Sequence, residues 1–160
     1  MVHHLWKIFL ILAVLFPVAE ALEPGDKVPD FVMTSSNGAP QRLSEVIGKP
    51  LMLIWLDDCN RCEEKLIDWQ YLAESWAVEG LETWFLWRQQ TDYMPPKSRI
   101  PVLVYNAANR DAWWFEPAPA VMLVSPEGVL DYLFIDRVED RKLEVANELK
   151  NWLNSKKWFQ

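Results

Sequence analysis

Two cysteines separated by two residues, Cys59 and Cys62, are the only thiols in the chain. They follow an apolar run, Leu51–Leu56, and precede a segment with helical spacing. Thiols at this spacing can form a disulfide that is readily opened again, so they make a reversible dithiol–disulfide couple. The spacing therefore predicts redox chemistry, and no other pair of residues in the sequence offers comparable chemistry.

Two other uses of the cysteine pair are weaker. A disulfide across so small a loop removes little chain entropy, so a purely structural crosslink would stabilise the fold poorly. A metal site would need more ligands than two thiolates, because zinc normally takes four from the protein. We predict no metal, and no cofactor other than a redox-active disulfide between Cys59 and Cys62.

The start of the chain is typical of a secretory leader. Lys7 precedes an apolar stretch, Ile8–Ala19, and Ala19-Glu20-Ala21 fits the small-x-small rule for signal peptidase. The stretch has about a dozen residues, whereas a bilayer span needs about 20. We therefore expect residues 1–21 to be a cleaved signal peptide and residues 22–160 to form one domain in the periplasm or another extracytoplasmic space. A leader that stays uncleaved and anchors the protein in the membrane is the alternative.

The composition excludes several classes of protein. The net charge is −7, which argues against nucleic acid and anionic membrane surfaces as partners. Both histidines, His3 and His4, lie in the predicted leader. The predicted mature chain therefore has neither a Ser-His-Asp triad nor a histidine-bearing zinc or copper site. Hydrophobic residues make up 51% of the sequence, which is enough to build a core.

Strands and helices alternate around the cysteines. Leu51–Leu56 is predicted to be a central strand, because it is apolar on both faces. The segment 60–78 shows helical spacing and is ended by Gly80. Further elements are predicted from apolar runs, helical spacing and turn residues. They are strands at 81–87 and 101–105, a short helix within 106–115, a hairpin of 120–124 and 129–135, and a helix at 138–153.

The segment before this core is predicted to contain turns and short strands. Residues 28–33 form a strand candidate, and Arg42-Leu43 is expected to pair with it across the Asn37-Gly38 turn. Ser44 is expected to cap a single helical turn that Gly48 ends.

Helical spacing also predicts which side chains are buried. The apolar face of the first helix is formed by Leu66, Trp69, Leu72, Ala73, Trp76 and Ala77. The apolar face of the last helix is formed by Val138, Leu143, Val145, Ala146, Leu149, Trp152 and Leu153. Trp84 is also placed in the core. Trp113 and Trp114 are expected either to pack in the core or to form a hydrophobic docking surface beside the cysteines.

Strand, C-x-x-C, helix, strand, then a proline-led hairpin and a final helix, is the order of a thioredoxin domain. The entry segment resembles the redoxin branch of that fold, which includes TlpA/ResA-like thiol–disulfide oxidoreductases and peroxiredoxins. The matching residues are Gly25-Asp26, Pro29-Asp30-Phe31, Gly38, Leu43-Ser44 and Gly48-Lys49-Pro50. The resemblance covers nearly all of the predicted mature chain. It implies an α/β thioredoxin-like fold, with a central mixed β-sheet flanked by helices and an N-terminal redoxin-type extension.

The resemblance also assigns roles to individual residues. Cys59 would be the exposed attacking thiol, favoured as a thiolate by the start of a helix, and Cys62 the shielded resolving thiol. Pro119 would be the cis-proline that faces the dithiol in thioredoxin-like proteins. A cis peptide there lets Ala118, the preceding residue, pair with an extended substrate chain. Pro117 is the alternative for this proline, and both prolines could instead simply terminate a loop.

Acidic residues flank the cysteines. Asp57 and Asp58 directly precede Cys59, and Arg61 and Lys65 only partly offset their charge. Negative charge disfavours the thiolate, so it favours the disulfide and makes the couple more reducing. We predict that Asp57, Asp58 and Arg61 tune the thiol pKa, and that the protein is a reductant kept reduced by a membrane electron donor. The alternative is that these charges are merely solvated.

The motif departs from the pattern of the TlpA/ResA-like proteins. Those proteins usually have Trp-Cys-x-Pro-Cys, whereas Asp58 precedes the first cysteine here and Asn60-Arg61 lies between the two. Lys65 stands where they often carry glutamate. These departures do not remove the dithiol chemistry, but they leave the identity of the substrate undetermined. The predicted function is an exported thiol–disulfide oxidoreductase that reduces protein disulfides, and the resemblance suggests cytochrome c maturation as the task.

Two other functions are kept as alternatives. A peroxiredoxin-like peroxidase would need Pro-x-x-x-Thr-x-x-Cys, but Met52 and Leu56 occupy the proline and threonine positions before Cys59. A non-catalytic thioredoxin-like binding or assembly module would keep its role after both cysteines are replaced by serine, whereas an oxidoreductase would lose it.

Overall fold

The computed structural model describes residues 21–56, 62–88, 97–105, 120–135 and 137–155, with residues 62–65 described by their backbone only. Within these ranges the chain forms seven strands, two α-helices and two short 3₁₀ turns. The strands are β1 Val32–Ser35, β2 Pro40–Arg42, β3 Leu51–Leu56, β4 Glu82–Arg88, β5 Val102–Tyr105, β6 Ala120–Val124 and β7 Leu130–Phe134. The helices are α1 Cys62–Ala77 and α2 Lys142–Ser155, and the 3₁₀ turns are Leu43–Glu45 and Val138–Arg141.

The strands form one mixed sheet with the order β2-β1-β5-β4-β3-β6-β7. β3 pairs parallel to β4, and β4 pairs parallel to β5. The remaining pairings, β1 with β2 and β5, and β6 with β3 and β7, are antiparallel. All six residues of β3 are buried, as expected for a strand that has neighbours on both sides and cover on both faces. The predicted α/β class, the central strand and the 120–135 hairpin are confirmed.

The two faces of the sheet carry separate apolar clusters, because alternate side chains of a strand point to opposite faces. On β3, Met52, Ile54 and Leu56 belong to the cluster that includes residues of both α-helices. Leu53 and Trp55 belong to the other cluster, which includes residues of the entry segment. The two helices therefore cover one face of the sheet, and the entry segment contributes to the opposite one.

α1 contacts the sheet through the face that the spacing predicts. Leu66, Trp69 and Ala73 are buried, and Leu72 and Trp76 pack against the same cluster. Ala77 was expected on this face but is exposed, because the helix ends there. The amide of Leu81 bonds back to the carbonyl of Trp76, at 3.4 Å, and that of Gly80 to the carbonyl of Ala77, at 3.0 Å. Gly80 has φ of +81°, so the turn uses the left-handed conformation that glycine adopts readily.

α2 begins later than predicted. A 3₁₀ turn precedes Lys142, and its different pitch changes which side chains point inward. Leu143, which was expected to be buried, is 76% exposed. The other predicted residues of this face are buried or half-buried: Val138, Val145, Ala146, Leu149, Trp152 and Leu153. Trp152 also donates from Nε1 to Oδ2 of Asp131 on β7, at 2.7 Å, which ties the helix to the sheet.

The entry segment forms the expected hairpin with shifted boundaries. β1 begins at Val32 rather than at residue 28, and Val32 lies opposite Arg42 of β2. The single turn that follows is 3₁₀, and Ser44 lies inside it rather than capping it. Its first two amides instead donate hydrogen bonds to residues that are distant in sequence. The amide of Leu43 donates to the carbonyl of Phe31 at 3.1 Å, and that of Ser44 to Oδ1 of Asp30 at 3.0 Å.

Several predictions lie outside the described residues. These are the leader except Ala21, the short helix within 106–115, and the tryptophans Trp113 and Trp114. Trp69, Trp84 and Trp152 are confirmed as core residues, and Trp76 is half-buried against the core. Leu22, the predicted first residue of the mature chain, also packs against the core.

Candidate functional site

Three parallel strands end together at one edge of the sheet. Leu56, the last residue of β3, lies opposite Trp87, and Arg88, the last residue of β4, lies opposite Tyr105. In α/β folds, ligands and reacting groups gather outside the carboxyl ends of parallel strands. This edge, here called the carboxyl edge, is where the chain leaves β3 toward the cysteines.

The second cysteine starts the helix that crosses back from the carboxyl edge. α1 begins at Cys62 and connects β3 to the parallel strand β4, so its first turn lies at the carboxyl edge. Cys62 precedes the buried Leu66 by four residues, which places position 62 on the same helical face as Leu66. Free amides at a helix start and the helix dipole favour a thiolate. Cys59 and its neighbours Asp57, Asp58 and Arg61 lie outside the described residues.

β6 begins at the carboxyl edge and runs away from it. It is antiparallel to β3, and its first residue, Ala120, lies opposite Trp55. The chain therefore enters β6 at the edge where β3 ends. Pro119 and Ala118, the predicted substrate-binding residues, precede Ala120 in sequence and lie outside the described residues, so their role stays a prediction.

Aromatic side chains support the carboxyl edge on the face opposite the helices. Trp55 is fully buried and donates from Nε1 to Sδ of Met122, at 3.3 Å. Its ring meets that of Tyr105 edge to face, with centroids 4.9 Å apart. The three residues come from β3, β6 and β5. Sequence reasoning did not single out this group, and the only signal available was the alternation of β3, which assigns Trp55 to the same face as Leu53.

On the helix-covered face, two buried polar groups of β4 have no hydrogen-bond partner. They are Oγ1 of Thr83 and Nε1 of Trp87. Thr83 is 5% exposed and Trp87 is 6% exposed. Buried polar groups are nearly always paired, so each exception calls for an explanation. The sequence predicted Trp87 only as a strand residue. No sequence pattern indicates that an indole N–H will lack a hydrogen-bond partner.

A groove of about 380 Å³ lies elsewhere, between the two α-helices. It is lined by Asp68, Trp69, Tyr71, Leu72 and Ser75 of α1 and by Lys142, Leu143 and Ala146 of α2. Lys142 and Asp68 form an ion pair across it. The groove is formed by the middle of α1 and the first turns of α2, not by the first turn of α1 at the carboxyl edge.

In the described part of the chain, no three or more histidine, cysteine, aspartate or glutamate side chains lie close enough together to bind a metal ion. No helix within the described ranges has both the length and the apolar character that crossing a membrane requires.

Comparison with solved structures identifies the fold. The thioredoxin domain of a thiol-disulfide oxidoreductase from Bacteroides vulgatus superposes with a TM-score of 0.69 at 13% identity. The match covers 83% of this chain and 99% of that one. The fold is thioredoxin-like. The thioredoxin-like fold that the sequence predicted is therefore confirmed.

Solved structures of a peroxiredoxin and of a lipoprotein thioredoxin also share this fold with the chain. Peroxiredoxin Q from Xanthomonas campestris has a TM-score of 0.68 at 17% identity, covering 82% of this chain and 99% of that one. An exposed lipoprotein thioredoxin from Streptococcus pneumoniae has a TM-score of 0.56 at 19% identity, covering 75% and 99% respectively. No protein-family model matches the chain, and no curated protein matches its sequence.

Proposed function

We propose that this protein is a thiol–disulfide oxidoreductase that works through Cys59 and Cys62. The observation that carries the proposal is the position of Cys62 as the first residue of α1, at the carboxyl edge of a thioredoxin-like sheet. A C-x-x-C pair at the junction of a buried strand and a helix combines a reactive thiol with a nearby second thiol. The oxidoreductase name of the Bacteroides vulgatus neighbour supports the proposal.

The proposed reaction is a pair of thiol–disulfide exchanges. The Cys59 thiolate attacks one sulfur of a substrate disulfide, forms a mixed disulfide, and releases the other substrate sulfur as a thiolate. The Cys62 thiol then loses its proton to water, and its thiolate attacks the sulfur of Cys59. This step forms the Cys59–Cys62 disulfide and releases the second substrate sulfur, which takes up a proton. Two electrons pass from the protein to the substrate, and a dithiol donor must restore them.

The charges around the motif suggest the direction of transfer. Asp57 and Asp58 precede Cys59, and their negative charge opposes the thiolate more than Arg61 favours it. A couple with a disfavoured thiolate is more reducing, so we propose a reductant of protein disulfides. The substrates would be exported proteins with cysteines, as in cytochrome c maturation, and the electron donor a membrane protein.

The proposed place of action is outside the cytoplasm. The support is the leader-like sequence of residues 1–21, together with the similarity to a thioredoxin named as an exposed lipoprotein. Reductants are needed in such compartments because cysteines there are otherwise oxidised. Fractionation of cells that express the full chain tests this part of the proposal.

Substrate trapping tests the activity and identifies the substrate together. A Cys62→Ser protein can attack a disulfide through Cys59 but cannot release the product, so it should accumulate substrates as mixed disulfides. Mass spectrometry would identify them after non-reducing separation. The matched control carries serine at both positions and should trap nothing. Equal recovery from both variants would overturn the proposal.

The proline before β6 is proposed to hold the substrate. Pro119 and Ala118 precede Ala120, which lies opposite Trp55 at the end of β3. A backbone segment there could pair with an extended substrate chain. Pro119→Ala should slow reduction of a protein disulfide while leaving the reaction of Cys59 with a small disulfide reagent unchanged. Pro117→Ala is the matched control. Equal effects on the two reactions would argue against a substrate-binding role for Pro119.

A peroxidase is the second candidate, favoured by the similarity to peroxiredoxin Q. A peroxidase would consume hydrogen peroxide with transient oxidation of Cys59 to the sulfenic acid. Leu56 and Met52 stand where that chemistry uses threonine and proline before the cysteine, which opposes it. Peroxide consumption at a rate well above that of free cysteine, lost in Cys59→Ser, would favour the peroxidase over the disulfide reductant.

A further inference from the structure

Asn37 is the only asparagine in the chain that is followed by a glycine. Glycine has no Cβ, so nothing hinders the approach of its backbone nitrogen to the side-chain amide carbon of the preceding asparagine. The attack closes a five-membered ring, which makes Asn-Gly pairs the most reactive asparagines of flexible chains. Asn37 and Gly38 are both exposed, so water and hydroxide reach the pair.

The reaction exchanges ammonia for water. The Gly38 nitrogen loses its proton to hydroxide and forms a bond to Cγ of Asn37. The bond from Cγ to Nδ2 then breaks, and the nitrogen leaves as ammonia after taking a proton from water. The resulting succinimide is opened by water at either of its carbonyl groups, which gives an aspartate or an isoaspartate at position 37. No oxidant, reductant or metal enters this sequence.

The turn between β1 and β2 withholds the attacking nitrogen. The amide of Gly38 donates to the carbonyl of Ser35 at 2.8 Å, so its proton is not free for hydroxide to remove. Gly38 has φ of +87°, a left-handed conformation that glycine adopts readily in hairpin turns. Attack on Asn37 therefore requires the bond from Gly38 to Ser35 to open.

Further hydrogen bonds hold the Asn37 side chain and both ends of the turn. Oδ1 of Asn37 accepts the hydroxyl of Ser35 and the amide of Ala39, the latter at 3.1 Å. The amide of Ser35 donates to the carbonyl of Ala39 at 2.8 Å. The amide of Ser36 donates to the carbonyl of Val102 on β5, also at 2.8 Å. Opening the turn disturbs several of these bonds together, which costs free energy.

We propose that Asn37 is a deamidation site of this protein and that the closed β1–β2 turn sets the rate of the modification. The folded chain deamidates only in those molecules in which the turn is open. An aspartate product adds a negative charge and still accepts both bonds made by Oδ1. An isoaspartate product lengthens the main chain within the turn by one carbon atom, so the spacing that the Gly38–Ser35 bond requires is lost. This chemistry does not depend on the proposed redox function.

Ageing of the purified protein at mildly alkaline pH tests the proposal. Peptide mapping by mass spectrometry measures aspartate and isoaspartate at position 37, in folded protein and in protein unfolded by guanidinium chloride at the same pH and temperature. Modification of the folded protein should be slower by about tenfold or more, because opening must precede attack. Asn37→Gln is the matched control. It keeps an amide before Gly38 but must close a six-membered ring, so position 37 should stay unmodified in both states.

Hydrogen exchange at the Gly38 amide gives a quantitative check. Exchange also requires the release of this amide from the Ser35 carbonyl, so both reactions depend on the same opening. The factor by which folding slows deamidation should therefore match the factor by which folding slows exchange at Gly38. Equal deamidation rates in folded and unfolded protein, or a clear mismatch between the two factors, would overturn the role of the turn. An Asn37 that stays unmodified in the unfolded protein would overturn the site itself.

Discussion

Asp30 connects two parts of the entry segment through its carboxylate. Oδ1 accepts the amide of Ser44 at 3.0 Å, and Oδ2 accepts Nη1 of Arg42 at 3.1 Å. Partial desolvation raises the pKa of Asp30, but the hydrogen bonds from Ser44 and Arg42 and the charge of Arg42 outweigh it. The pKa therefore lies below its ordinary value of 3.8. Asp30 thus accepts an amide hydrogen bond from the 3₁₀ turn, the role that Ser44 was expected to perform as a local cap.

Asp30→Asn should make the protein less stable at neutral pH. Because the folded state depresses this pKa, the carboxylate stabilises the fold above pH 3.8, and the contribution is lost as the pH falls through the folded value. The difference in urea midpoint between wild type and Asp30→Asn should thus be present at pH 7 and shrink in acid. Glu79→Gln, the same change of charge at an exposed position, is the control. A difference that grows toward acid pH would contradict the account.

Individual residues of the site were predictable where chemistry alone identifies them. Cys59 and Cys62 stand out because no other thiols are present. The contact of Trp55 with Met122 and the unpaired N–H of Trp87 were not predictable. Both depend on strand register and on which neighbour each face meets, and those are properties of the assembled sheet rather than of any local sequence pattern.

α2 illustrates how an element is fixed by a few contacts. Its buried residues cover the sheet face that α1 also covers, and the indole of Trp152 bonds to the Asp131 carboxylate on β7 at 2.7 Å. Lys142 of α2 also forms an ion pair with Asp68 of α1. Exposed ion pairs contribute little to stability, so the apolar face and the indole bond hold the helix in place.

Trp152→Phe should lower the free energy of unfolding by about 1.5–3 kcal/mol, the range for a lost hydrogen bond to a charged group. Phenylalanine keeps a six-membered ring but not the rest of the buried indole, so lost packing adds to this figure. Urea unfolding followed by circular dichroism measures the loss. Trp76→Phe on α1, where the ring is only half-buried, should cost clearly less. Equal losses in the two variants would show that the Asp131 bond contributes nothing.

Boundaries and helix faces mark the limit of what local patterns predict. The strand β3 and the hairpin of β6 and β7 were predicted because their continuous apolar runs, and the turn residues of the hairpin, agree with their tertiary surroundings. Leu143 was misplaced because spacing alone cannot show that a 3₁₀ turn precedes α2. Ala77 was misplaced because a periodic pattern does not show where the helix leaves the sheet.

At the scale of the whole molecule, the reduction potential of the cysteine couple is linked to the stability of the fold. In a protein with a C-x-x-C couple, the oxidised and reduced forms differ in their free energy of unfolding. That difference equals the free-energy equivalent of the difference in reduction potential between the folded and the unfolded protein. A folded couple that is more reducing than the unfolded one means that the disulfide form is the more stable fold. The overall fold was predictable as a thioredoxin-like domain from the order of its elements, whereas the redox direction depends on charges near the motif and has to be measured.

Oxidised protein should therefore unfold at a higher urea concentration than reduced protein. The comparison uses wild type with and without a reducing agent, and the protein with serine at positions 59 and 62 controls for effects of the reagent. Each 30 mV of potential corresponds to about 1.4 kcal/mol. A reduced form that is more stable than the oxidised form would reverse the proposed direction and indicate a disulfide donor.

Equilibration of the wild-type protein in glutathione and dithiothreitol redox buffers is the most direct test. The dithiol and disulfide forms are trapped with an alkylating agent and counted by mass spectrometry. The expected result is a single reversible two-electron transition at Cys59 and Cys62, nearer to about −270 mV than to the roughly −120 mV of a strong disulfide donor. Two cysteines that never form a shared disulfide in any buffer, or a disulfide that no small thiol opens, would contradict the proposed function.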